Sequence, residues 1–135
     1  MPISTGLNHV AFLTTDMNRT VQFYEEVFEG VVTFEMQKTD DHPWMKIVDV
    51  GGGSFLNIFE AEPETIIGER RKQGGRGAVD HFAFNVDSRE TLDLVHQRLI
   101  DAGAQEVGDA QQLGNEWSVF FRDPDGLELE VCWIP

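Results

Sequence analysis

A single cysteine, Cys132, stands among the 135 residues, so no internal disulfide can form and an oxidising compartment is not indicated. Its setting in an apolar stretch suits a buried thiol rather than a nucleophile. Long apolar runs are also missing, and the N-terminus has no charged segment leading into an apolar one. Neither a membrane span nor a signal peptide is therefore expected, and a cytoplasmic protein is. Basic residues are scarce: ten against twenty-four acidic ones give a formal net charge of −14. That charge would repel phosphate backbones and anionic lipid, which argues against nucleic-acid and membrane partners. With 41% hydrophobic residues the chain can bury the core of one ordinary domain, 1–135, and needs no second.

What the chain does have is a repeat. Leu7-Asn8-His9-Val10-Ala11-Phe12 returns as Val79-Asp80-His81-Phe82-Ala83-Phe84, offset by 72 residues. Each copy carries a histidine on one face of an alternating apolar stretch, the pattern of a half-buried strand. The rest of the chain follows the same duplication. Residues 7–14 read as a strand, Asp16 as the cap of a helix bearing Val21, Tyr24 and Phe28, and Gly30 as its end. Strands are expected at 31–37, 44–50 and 54–60, the last two separated by Gly51-Gly52-Gly53.

A segment with four glycines and with Arg70, Arg71, Lys72 and Arg76 reads as a linker over 68–78, between modules 7–67 and 79–133. The second module repeats the order: a strand at 79–86, a helix from Asp87 or Ser88 through Leu92, Val95 and Leu99 closed by Gly103, and strands near 105–109, 116–122 and 127–133. Asp123-Pro124-Asp125-Gly126 between the last two is a turn signal, with proline where φ is fixed and glycine where it must be free. The expected class is α+β, two βαβββ modules whose curved sheets form an open cup.

Strand alternation places His81, Ala83 and Asn85 on one face and Phe82, Phe84 and Val86 on the helix side. In the last strand Leu129, Val131 and Trp133 take the helix side, which turns Glu128 and Glu130 to the cavity. A solitary strand histidine is ordinarily a core or surface residue. Two at equivalent positions, with a small alanine two residues beyond each and a carboxylate on a shared cup, match the two-histidine, one-carboxylate set that holds a divalent first-row metal and leaves positions open.

These motifs resemble the vicinal oxygen chelate superfamily, which includes glyoxalase I, fosfomycin resistance proteins, extradiol dioxygenases and bleomycin resistance proteins. The resemblance rests on Asn8-His9-Val10-Ala11-Phe12 before a helix with Phe23-Tyr24, on Asp80-His81-Phe82-Ala83-Phe84, and on Asp123-Pro124-Asp125-Gly126 four residues before Glu130. It implies that His9, His81 and Glu130 occupy metal-ligand positions, that the ion is Fe(II), Mn(II), Zn(II), Co(II) or Ni(II), and that the chain forms a homodimer. Aligning the modules through Gly53 and Gly126 sets Asn57 opposite Glu130. Asn57 offers an amide and no useful basicity where glyoxalases carry a glutamate.

Other departures narrow the chemistry. Ring-cleaving members show a tyrosine and a histidine where this chain has Phe120 and Glu116, and fosfomycin resistance proteins usually have threonine at the place of Ala11. The expected function is a divalent-metal-dependent enzyme acting on a small molecule chelated through vicinal oxygens. Glu128 or Glu116 is the candidate base, and Asn57, Phe55, Phe59, Trp44, Trp117 and Phe120 are candidate substrate contacts. The rival is a metal-independent binding protein that sequesters an aromatic antibiotic, as bleomycin resistance proteins do. Two imidazoles and a carboxylate in register speak against it.

Overall fold

In a computed structural model that describes residues 1–66 and 77–135, the chain divides into two compact units, Met1–Ile66 and Ile67–Pro135. Arg70, Arg71, Lys72 and Arg76, and most of the expected linker, lie outside the described residues. The fold is α+β, and each unit is βαβββ with an open four-stranded mixed sheet. The first unit runs β1 (His9–Thr14), α1 (Met17–Phe28), β2 (Val31–Met36), β3 (Met45–Asp49) and β4 (Phe55–Glu60). The second runs β5 (Phe82–Asn85), α2 (Arg89–Asp101), β6 (Gln111–Leu113), β7 (Glu116–Arg122) and β8 (Glu128–Trp133). Strand orders are β1-β4-β3-β2 and β5-β8-β7-β6, the same connectivity twice, with the first and last strand of each unit parallel. No helix among the described residues is long and apolar enough to cross a membrane.

One face of each sheet is closed by its helix. In the first unit Val48, Leu56 and Ile58 are buried, as are Met17, Val21, Phe23, Tyr24 and Val27 of α1. In the second, Val119, Phe121, Leu129 and Val131 are buried on the side that meets α2, whose Leu92, Val95 and Leu99 are also buried. Full burial of such a side chain contributes about 1.5–3 kcal/mol, so these residues fix which face of each strand is left open. Strand alternation then presents His9, Ala11 and Leu13 on the open face of unit one and Glu128, Glu130 and Cys132 on that of unit two.

Helix ends follow the expected chemistry with one exchange of roles. Asp16 caps α1 by accepting from Arg19 N (3.0 Å), and Ser88 caps α2 by accepting from Thr91 N (3.1 Å). Gly103 (φ +69°) closes α2, with Ala104 N donating to Leu99 O and Gly103 N to Ile100 O. At the end of α1 the left-handed residue is Glu29 (φ 56°) rather than Gly30. Gly30 is needed for closeness: a Cβ there would lie 2.8 Å from Val48 Cγ1 and 3.2 Å from Tyr24 O. Gly30→Ala is expected to cost about 1–3 kcal/mol through overpacking. Urea unfolding measures this, and an unchanged midpoint would refute the close approach.

The second strand of unit two is not at 105–109. Glu106 has φ 50°, which breaks an extended run, and only an isolated bridge joins Gln105 to Arg122. The strand is β6, joined to β7 by Gly114-Asn115, with Gly114 at φ +66°. This two-residue glycine-asparagine turn is a hairpin signal. The β7–β8 connection is as expected. The buried Asp123 accepts from Asp125 N (3.0 Å) and Leu127 N (2.9 Å), locking the turn that sets the register of β8.

Candidate metal centre

The centre of unit two's open face is Glu130, 6% exposed, on a strand flanked by β5 and β7. Ala83 is its partner on β5 and Phe120 its partner on β7. A carboxylate this deeply buried needs partners for both oxygens. Ser118 Oγ donates to Oε1 at 2.5 Å, and His81 Nε2 lies 3.1 Å from Oε2. On its other edge His81 Nδ1 is 2.7 Å from Asp80 Oδ2. Ionised carboxylates only accept, so both ring nitrogens are drawn toward the N–H form.

The His81 pKa is accordingly raised above 6.5. The hydrogen bond to Asp80 is the main cause, the negative charge of Glu130 adds to it, and partial burial works against both. The imidazole also meets the Phe120 ring edge-on, with centroids 5.3 Å apart. Glu116 completes the group: its Oε1 is 3.0 Å from Ser118 Oγ, and donor atoms of Glu116, Glu130 and Cys132 lie within 4.8 Å of one another. Burial, with the charges of Glu116 and Glu130, pushes the Cys132 thiol up to about 11. It stays protonated at neutral pH and is no nucleophile.

Unit one repeats the arrangement around His9. Its Nδ1 lies 2.8 Å from Asn8 Oδ1, the side chain immediately before it, as Asp80 is immediately before His81. An amide oxygen accepts, so Nδ1 carries the proton and Nε2 is left as the ring's free donor atom. His9 is opposite Phe55, Ala11 opposite Asn57 and Leu13 opposite Phe59. Ala11 with Asn57 thus matches Ala83 with Glu130, which confirms the alignment of the two modules at this position. Phe55, Asn57 and Phe59 are half-buried on the open face.

Two tryptophans sit elsewhere. Trp117 is opposite Trp133 on the helix side, where the Arg89 guanidinium of α2 covers its ring at 4.1 Å. Trp44 precedes β3, donates from Nε1 to Glu35 Oε1 (2.8 Å) and has Lys46 over its ring. It lines a separate cleft of about 380 Å³ with His42, Pro43 and Glu60. Glu60 Oε2 also accepts from Met17 N at the start of α1. Glu128 is opposite Arg122, whose Nε is 3.0 Å from Glu106 Oε2. Asn8, Asp80 and Ser118 were not singled out from the sequence. The first two sit inside the repeated phrase itself, and that was their signal.

The signature of the Glyoxalase/Bleomycin resistance protein/Dioxygenase superfamily matches residues 6–131. The chain belongs to that superfamily. It is 33% identical over 128 residues to the metallothiol transferase FosB of Shouchella clausii, an alignment covering 93% of this chain and 78% of that one. Among solved structures, a glyoxylase/bleomycin resistance protein/dioxygenase domain from Frankia sp. EAN1pec superposes with a TM-score of 0.83 at 24% identity, covering 98% and 99% of the two chains. A glutamate-to-glutamine variant of the fosfomycin resistance protein FosX from Listeria monocytogenes superposes with a TM-score of 0.71 at 22% identity, covering 96% and 90%. That structure was solved with Mn(II) and 1S,2S-dihydroxypropylphosphonic acid.

Proposed function

We propose that this superfamily member is a divalent-metal-dependent enzyme that binds a small molecule through two adjacent oxygen atoms, as a homodimer, with His9, His81 and Glu130 as the protein ligands. One observation carries the reading. Both repeated histidines are held through Nδ1 by the side-chain oxygen just before them, which orients each ring and leaves Nε2, in His81 already 3.1 Å from Glu130 Oε2, as the nitrogen that would meet an ion. Such anchoring is the usual outer-sphere support of metal-binding imidazoles. The donor set, two imidazoles and a carboxylate, suits Fe(II), Mn(II), Zn(II), Co(II) or Ni(II). A divalent ion held there supplies Lewis-acid stabilisation of negative charge developing on the substrate oxygens.

The remaining groups have roles that follow from their chemistry. Phe120 packs edge-on against His81, and Phe55 and Phe59 offer apolar contact on their own face. Asn57 offers a hydrogen bond and no proton transfer. Glu116 is preferred to Glu128 as the group that takes or returns a proton, because its carboxylate lies beside that of Glu130, with Oε1 3.0 Å from Ser118 Oγ, while Glu128 stands in register with Arg122. Arg122 is the only cation among the described strand residues of that open face, and it is engaged by Glu106. With Glu116, Glu128 and Glu130 on the same face, and Ala11 in place of a threonine, the site favours a neutral or weakly acidic oxygen chelator over a phosphonate dianion.

Turnover of 2-oxo acids, hemithioacetals, catechols and epoxide phosphonates is the test, run with added Mn(II), Fe(II), Zn(II), Co(II) or Ni(II) and with chelator. Metal-dependent turnover of one of the first three classes is the expected result. Tight binding of an aromatic antibiotic that survives chelator and yields no product would overturn the enzyme reading in favour of sequestration.

A further inference from the structure

We infer that Ser118 is a positioning residue for the metal centre: its hydroxyl fixes the Glu130 carboxylate so that Oε2, and not Oε1, is presented to His81. The inference rests on the proposed ligand role of Glu130 and His81. Ser118 is fully buried on β7, one strand from Glu130 and on the same face. It is paired in register with Cys132, so it reaches Glu130 diagonally rather than directly across. A serine hydroxyl has one hydrogen to give. Glu130 Oε1 at 2.5 Å and Glu116 Oε1 at 3.0 Å both face it, and the shorter contact takes the hydrogen.

The consequence for Glu130 is directional. A glutamate side chain has three rotatable bonds, and its two oxygens are equivalent until something distinguishes them. The hydroxyl ties down Oε1 on the β7 side, which leaves Oε2 toward β5, 3.1 Å from His81 Nε2. Asp80 orients the imidazole from its far edge in the same way. Each of the two donor groups of unit two therefore has its own neutral or charged anchor, and Ser118 is the anchor of the carboxylate.

Calorimetric titration of Mn(II) into the full chain tests this with three variants. Ser118→Ala is expected to weaken Mn(II) binding about 10- to 100-fold, the usual loss for an outer-sphere partner, and Ser118→Thr, which keeps the hydroxyl, to recover most of it. Val119→Ala, on the opposite face of the same strand, lowers stability without touching the carboxylate and should leave the affinity within about twofold. An affinity for Ser118→Ala equal to wild type, or an equal loss in Val119→Ala, would overturn the positioning role while leaving the metal reading intact. Absence of saturable Mn(II) binding by wild type would overturn both.

Discussion

His81→Ala is expected to lower Mn(II) affinity by more than about 100-fold, exceeding the loss from any outer-sphere change because a proposed ligand itself is removed. The pH dependence has a definite sign. In the metal-free protein His81 holds its proton above the ordinary 6.5, chiefly through Asp80 and then Glu130, so an ion must displace that proton from Nε2. Affinity should rise tenfold per pH unit until the raised midpoint is passed, and level off beyond it. Stability of the metal-free protein moves the other way: the imidazolium's contribution is fully present below 6.5 and is lost as pH rises through the raised midpoint. Imidazole proton shifts in NMR locate the midpoint, and calorimetry gives the affinities. A midpoint at or below 6.5, or equal Mn(II) affinity for wild type and His81→Ala, would rule out this account.

The largest effect on stability is expected from Phe121→Ala, at about 3–5 kcal/mol. Phe121 is 1% exposed on the helix side of β7 and opposite Leu129 of β8. Its ring fills the layer directly behind the strand that carries Glu130. Domains of this size are stable by about 5–15 kcal/mol, so the variant would be left marginal or unfolded at room temperature. Urea or guanidinium unfolding followed by tryptophan fluorescence reads this directly. A loss under about 1 kcal/mol would show that the layer between the sheet and α2 is not closely packed there.

Much of this architecture was legible because it rests on alternation and on a repeat. The apolar residues at every second place in β1, β5 and β8 decide which face meets a helix, and the copied phrase decides where equivalent residues fall. Trp117 shows what happens when residue type is weighed ahead of alternation. Counting by twos from Val119 and Phe121 puts it on the helix side, where it is found under Arg89. The misplaced second strand of unit two has another cause. A left-handed residue at Glu106 carries no sequence signal, whereas Gly114-Asn115 did mark the true hairpin. Ser118 was illegible because its contact is diagonal across strands, and neither composition nor spacing reports the reach of a side chain.

The pairing of Ala11 with Asn57 in one unit and Ala83 with Glu130 in the other has a consequence in charge balance. A duplicated module would start with the same residue at both places, and here one copy holds an amide and the other a carboxylate. In the proposed centre two neutral imidazoles and a single carboxylate would bring one negative charge to a divalent ion, which would keep a net charge of +1. A second carboxylate at position 57 would cancel it. In that proposed centre the asymmetry between the copies would therefore leave the ion electrophilic toward the substrate's oxygens, because one copy offers a neutral amide where the other offers a carboxylate.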